Sequence, residues 1–276
     1  MIAKSRLQAS MTAERAMRAM IRSWHSTAGV ILILLCALAT QSLAATGDPA
    51  RFRAGLRNSA GRHQLNAKQF DAVLQSLRHK TGFLEMYFDE DGFLTLGDRT
   101  RIAGGSATAR ALLVATVDGN QAIELENHSG SSRVIFAQLA PPRCYANYLT
   151  GARITAQSLE LDFFDFAQLM GDREVLTAFD LGFAVLHELA HAVLHLQDDK
   201  ANPKGLGACE DYINRIRREL ELPERQHYIA RTRETVLGTG KKVELSEVDF
   251  IRQRRGKIKR FRLSWETQKA GRSLTT

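Results

Sequence analysis

The sequence predicts an α+β fold, and three observations predict it. Between residues 62 and 160, short apolar runs alternate with turn segments such as Asp89-Glu90-Asp91-Gly92, Asp118-Gly119-Asn120 and His128-Ser129-Gly130-Ser131, the spacing of short strands. From Glu174 to Leu196 the pattern becomes helical and strongly apolar, with no proline to interrupt it. Phe250 to Arg254 and Lys257 to Trp265 then flank Arg255-Gly256 as a closing hairpin. The expected organisation is a leader over 1–44, a flexible linker over 45–61, a strand-rich part over 62–160 and a helical part over 161–276.

The leader rests on a charge pattern. The 276 residues carry a formal net charge of +8, and the segment before Ala45 holds Lys4, Arg6, Arg15, Arg18 and Arg22 against Glu14 alone. Ala28 to Ala39 then contains no charge, and Ser42-Leu43-Ala44 supplies small residues before Ala45. That order is the one expected of an export signal, so the mature chain is expected to be periplasmic or secreted. The alternative is an inner-membrane anchor, with membrane association through residues 28–45. The basic excess left on the remainder is too mild to argue for a nucleic-acid partner. Of the three cysteines, Cys36 lies in the apolar run, leaving Cys144 and Cys209 to pair or to stay free and buried.

Within the strand-rich part, Asn66 to Arg78 spaces Phe70, Val73, Leu74 and Leu77 as one helix face, with Asn66 as its cap. Phe83 to Leu96 reads as a hairpin about the acidic turn, whose spacing lacks the closing Glu of a calcium loop. Ala111 to Val117, Gln121 to Glu126 and Arg133 to Gln138 read as a meander of strands, followed by Arg153 to Leu161. His128, in a Ser/Gly-rich turn, is expected to be solvated. Leu161 to Met170 suits a short strand or the first turns of a helix. Beyond the long apolar helix come a polar loop from Gln197 to Gly205, a second helix from Ala208 to Leu222 stopped by Pro223, and a short helix over His227 to Val236.

The chemistry concentrates in Leu186 to Leu196, which contains His187-Glu188-Leu189-Ala190-His191. Residues four apart share a helix face, so His187 and His191 can aim two imidazoles at one point. Imidazole suits zinc, and Glu188 sits where its carboxylate can serve as general base. A catalytic zinc site normally takes a third protein ligand. Glu210, near the start of the second helix, is the expected one, with Asp211 as fallback. His195 stands a further turn along the helix and fits a cleft or packing role better than coordination. Asn214 is expected to hold the free ring N–H of a ligating histidine, and Tyr228 to supply an oxyanion donor, with His227 and Arg225 as other candidates.

The stretch from His187 to Tyr228 resembles zincin metallopeptidases that use a glutamate as third ligand. Its later piece, from Asn214 through Arg217-Arg218-Glu219-Leu220-Glu221-Leu222-Pro223-Glu224-Arg225 to Tyr228, looks like the segment after the active site of M91-like bacterial effector peptidases and related toxin domains. The resemblance covers about 40 residues. It implies a zinc-dependent peptidase acting on a peptide or protein substrate, with His187, His191 and an acidic residue as ligands. The export-type N-terminus departs from the effectors and argues against a host-targeted role. The rival reading is a non-catalytic zinc-binding or protein-interaction module on the same scaffold.

Overall fold

In the computed structural model, which describes residues 53–133, 135–146, 151, 153–199, 201–202, 205–236 and 242–267, helix and strand are interleaved from the first described segment onward. The elements begin with β1 (Gly55–Asn58), α1 (Ala67–Thr81), β2 (Tyr87–Phe88), β3 (Leu94–Thr95) and α2 (Ala107–Val117). They continue with β4 (Gln121–Asn127), β5 (Ala137–Leu139), β6 (Arg143–Ala146), β7 (Arg153–Leu161), α3 (Phe163–Ala167) and α4 (Arg173–Ala178). The chain closes with α5 (Leu181–Leu194), α6 (Gly207–Glu219), β8 (Glu224–Arg225), β9 (Arg231–Val236), β10 (Lys242–Arg254) and β11 (Lys257–Glu266). The expected leader, with its apolar run Ala28–Ala39, lies outside the described residues.

A five-stranded sheet in the order β1-β4-β7-β5, with β6 also on β7, forms the base of the fold. β1, β4 and β7 are parallel, while β5 and β6 run antiparallel to successive halves of β7. The expected meander is therefore corrected: β1 reaches β4 through α1 and α2, and β4 reaches β7 by way of β5 and β6, the long crossovers that parallel pairs require. The reading of 45–61 as a flexible linker is corrected for 55–58, which form β1 with Leu56 fully buried against the core; 45–52 lie outside the described residues.

Local chemistry explains which segments became helices. Asn66 closes a reciprocal capping box with Gln69 at the start of α1, and Gly82 ends it in the left-handed conformation. Ala111 to Val117, expected as a strand, is the later part of α2. Ser106 caps that helix by accepting from Ala109 N, and a short apolar run reads equally well as a buried strand or a buried helix. The single helix expected over Glu174 to Leu196 is two. The chain leaves helical geometry at Phe179, and Asp180 recaps α5 by accepting from Phe183 N. His227 to Val236, expected as a short helix, is irregular to Ala230 and strand from Arg231, where β9 pairs with β10 over six positions. The expected closing hairpin is present as β10–β11, and the Phe83–Leu96 hairpin as β2–β3.

One face of the sheet packs on α1, α2, α5 and α6. Leu56, Ile123, Leu125 and Leu159 meet Val73, Leu77, Leu113, Leu186 and Leu189 in one cluster, all fully buried. Each such side chain contributes about 1.5–3 kcal/mol of burial. The α4–α5 pair is apolar enough in length and composition to cross a membrane, but here that apolarity is spent on this core. Val175 and Ala178 pack separately with Val248, Phe250, Phe261 and Leu263 of the terminal sheet.

Two polar clamps set the position of α5 and α6. Buried Lys80 on α1 donates to Asp180 at 2.6 Å, and Ser76 Oγ both donates to Asp180 and accepts from Gly182 N. The approach is so close that a Cβ on Gly182 would lie 2.3 Å from Ser76 Oγ. At the far end of α6, Glu219 accepts from Ser106 Oγ at 2.7 Å, from Thr108 N at 3.0 Å and from the Thr108 hydroxyl, joining α6 to the start of α2. Burial alone would raise the Glu219 carboxyl, but the Thr108 and Ser106 hydrogen bonds outweigh it and hold it at about 2. The folded value lies below an unfolded value of about 4.3. Its stabilisation is thus fully present above that value and is lost as pH falls through the folded one. A Glu219→Gln chain is expected to be less stable at neutral pH and to show a flatter loss of urea resistance below about pH 4.3 than the wild type. Parallel acid limbs for the two chains would refute the clamp.

Candidate metal centre

Helix α5 presents its two histidines as their spacing requires. The ring centroids of His187 and His191 are 4.7 Å apart, and the two Nε2 atoms are 3.1 Å apart. Each ring is held from behind through Nδ1. His191 Nδ1 donates to Leu196 O at 2.6 Å, and His187 Nδ1 faces Glu210 Oε2 at 3.3 Å. With both Nδ1 atoms donating, both Nε2 lone pairs point at the same place. Two neutral imidazoles in that arrangement bring acceptor against acceptor, which a cation resolves.

A third donor stands between them, and it is not the one expected. Asp198 lies 3.3 Å from His187 Nε2 through Oδ1 and 3.1 Å from His191 Nε2 through Oδ2, with its side chain only 3% exposed. Asp198 Oδ1 is a buried oxygen with no hydrogen-bond partner, although His187 Nε2 is within ion-pair range. A carboxylate whose two oxygens, one of them without a hydrogen-bond partner, face two imidazole Nε2 atoms is a donor set that could hold a metal ion. In the ion-free chain burial opposes charge, yet the Asp198 carboxylate keeps both imidazoles protonated, His191 up to about 10. Those imidazoles in turn hold Asp198 well below the usual carboxylate range. Metal entry at this site therefore releases protons.

The loop chemistry that delivers Asp198 is local. His195, expected in the cleft or packed at the helix end, is exposed at the C-terminal cap of α5 with φ 55°. That left-handed turn sends the chain back, so Leu196 O reaches His191 and Asp198 follows two residues later. An isolated bridge between Asp198 and Gly207 fastens the loop to the start of α6. Gly207 sits at φ +78°, where a Cβ would lie 2.3 Å from Asp199 N, so only glycine fits.

Glu210, expected as the third ligand, stands behind His187 instead. It is buried and accepts from Arg217, from Arg225 at 3.3 Å and from the His187 Nδ1 side. Burial would raise its carboxyl, but Arg217 and Arg225 hold it well below its ordinary value. The carboxylate is consumed by two guanidiniums and one ring nitrogen, and its role is to orient the imidazole. Asp211 is exposed. Asn214, expected to hold an imidazole, grips β8 instead: its Nδ2 donates to Arg225 O and its Oδ1 accepts from Arg225 N, both at 2.8 Å.

Glu188 and Tyr228 complete the cleft. Burial raises the Glu188 carboxyl above its ordinary value, against the pull of both histidines. The Tyr228 ring stacks on His187 at 6.1 Å, and the Asp198 charge acts on its hydroxyl. Burial and the Asp198 charge push that phenol well up. Of the other expected oxyanion donors, Arg225 is spent on Glu210 and on the His227 and Tyr228 carbonyls, and His227 turns to Ile229 O and Asp249. Cys209 is free and buried, donating to His187 O at 3.4 Å, and its sulfur lies within 4.8 Å of donor atoms on His187, His191 and Asp198. Cys144 is exposed, so the two cysteines are unpaired.

Two cavities meet at Glu188 and Tyr228. One of about 360 Å³ is walled by Phe136, Phe179, Phe183 and Trp265. The other, about 860 Å³, is polar, with Arg133, Gln138, Gln157 and Asp198 in its wall. Ala137 of β5 lines both, so this edge strand runs between them. Comparison with protein-family models, curated proteins and solved structures gives no match to this chain.

Proposed function

We propose that this chain is a zinc-dependent metallopeptidase of the zincin kind, acting on peptide or protein substrates outside the cytoplasm. The observation that carries the reading is the convergence of His187 Nε2, His191 Nε2 and the orphaned Asp198 Oδ1, with Glu188 one residue along the same helix. Two imidazoles and a carboxylate suit zinc, and three protein donors leave a position open for water or substrate. A zinc ion held there supplies Lewis acidity, polarising a carbonyl and lowering the pKa of water.

The chain's own groups do the rest. Glu188 takes a proton from the attacking water and returns it to the leaving amine. The Tyr228 hydroxyl, beside Asp198, donates to the oxygen on which negative charge develops. Arg217 and Arg225 fix Glu210, which fixes His187. β5, the last strand in the sheet order, offers an extended polypeptide backbone hydrogen bonds along its edge, with cavities on either side for its side chains. The basic lead and uncharged run before Ala45 support the exported or membrane-anchored setting.

Purified chain is expected to retain zinc and to hydrolyse an unfolded protein such as reduced casein, to lose that activity to a zinc chelator, and to regain it on adding zinc. A chain that neither holds zinc nor cuts would sink the reading. One observation favours a second reading. If Cys209 joined the three donors, the coordination would be closed, as in a structural zinc site. Cobalt substitution separates the two, because thiolate coordination adds a strong near-ultraviolet charge-transfer band.

A further inference from the structure

A second group of donors lies on the face of the main sheet turned away from the helices. β4 and β7 are parallel, with Glu126 directly opposite Glu160. Side chains alternate along a strand, so these glutamates leave the face opposite buried Leu125 and Leu159. His128, one residue beyond β4 and expected to be solvated, instead points Nε2 between them, 3.1 Å from Glu126 Oε2 and 3.8 Å from Glu160 Oε1. All three side chains are only 15–17% exposed.

The surroundings orient these groups without neutralising them. Ser158 Oγ donates to the other oxygen of Glu126 at 3.0 Å, and Gln138 Nε2 to the other oxygen of Glu160 at 2.6 Å. The His63 ring stacks on His128 at 4.4 Å and 17°, with its own Nδ1 tied to Asn127 O. Among the described residues neither glutamate has a lysine or arginine within ion-pair distance. Two carboxylates therefore face each other across adjacent strands with one imidazole between them, an arrangement of like charges that destabilises a sheet. A divalent cation would turn the repulsion into coordination.

We propose that Glu126, His128 and Glu160 form a second metal site, holding a divalent first-row transition ion through one imidazole nitrogen and two carboxylate oxygens. The nitrogen donor favours zinc over calcium or magnesium. The site is separate from the His187–His191–Asp198 group and does not rest on it. Gln138 belongs to β5, so an ion here would tie β4 and β7 to the edge strand that borders the cleft.

The test uses the full chain, stripped by chelation, reloaded with zinc or with manganese, and assayed for bound ions after equilibrium dialysis. Wild type is expected to hold two zinc ions, His191→Ala one, His128→Ala one, and the double variant none. Glu160→Gln, which keeps the side chain's shape, serves in place of His128→Ala if that variant misfolds. Zinc should raise the melting temperature of His191→Ala but not of His191→Ala combined with Glu160→Gln. A His191→Ala chain that binds no ion would overturn the proposal, leaving His128 as a plain hydrogen-bond partner of the two glutamates. So would a folded Glu160→Gln chain that still holds the wild-type number.

Discussion

Replacing Asp198 with alanine is expected to abolish tight zinc binding and peptide hydrolysis together, because it removes the one carboxylate that reaches both Nε2 atoms. Glu210→Gln is expected to behave differently. The amide can still accept from His187 Nδ1, so zinc affinity should weaken by about 10–100-fold, the range seen when groups that orient ligands are changed. Stability should suffer more, by about 3–5 kcal/mol, since Arg217 and Arg225 would face a neutral group in a buried site. Zinc content of the folded fraction, measured beside chemical denaturation, separates the two roles. If Asp198→Ala kept its zinc while folded Glu210→Gln lost it, the assignment would have to be reversed.

Glu188→Gln is expected to retain zinc and fold normally while hydrolysis falls by about 10²–10⁴-fold, the usual range for loss of a general base. Its carboxyl is raised mainly by burial, with the histidine charges opposing. The wild-type rate should therefore fall on acidification at a pH above the ordinary carboxylate range, as Glu188 becomes protonated and can no longer take a proton. The isosteric amide removes proton transfer without removing bulk. Single-turnover hydrolysis and zinc analysis on the same preparation check both halves. An unchanged rate would remove Glu188 as the general base, whereas zinc retained with no hydrolysis in the wild type would favour the non-catalytic reading.

Legibility in the sequence followed the range of the interaction. Asn66 with Gln69, the β2–β3 turn and the β10–β11 hairpin depend on neighbours a few residues apart, and all were legible. So was the pairing of His187 with His191, because one helical turn sets it. Ala111 to Val117 reads as strand because six apolar residues and Thr116 carry no period that separates a buried strand from a buried helix; the Ser106 cap is the available signal. Asp198 was passed over as part of a polar loop. Its nearness to His191 in sequence was a usable hint, but the left-handed turn at His195 that aims it is rare for a residue other than glycine. Glu210 is legible on its helix but not with its partners, since its two arginines arrive from Arg217 two turns on and from Arg225 across Pro223.

By itself the sequence determined an α+β chain, a helix with two imidazoles and a carboxylate on it, and a second helix arriving from beyond a glycine-bearing loop. Those features rest on backbone periodicity and short-range caps, which any tertiary context preserves. Only the tertiary structure decided which carboxylate meets the imidazoles. Asp198 and Glu210 both come within 3.3 Å of His187, one at each ring nitrogen. What separates them is that Glu210 is bound by two buried guanidiniums while one oxygen of Asp198 has no partner. That difference is a matter of long-range charge and burial, which spacing along the chain does not encode.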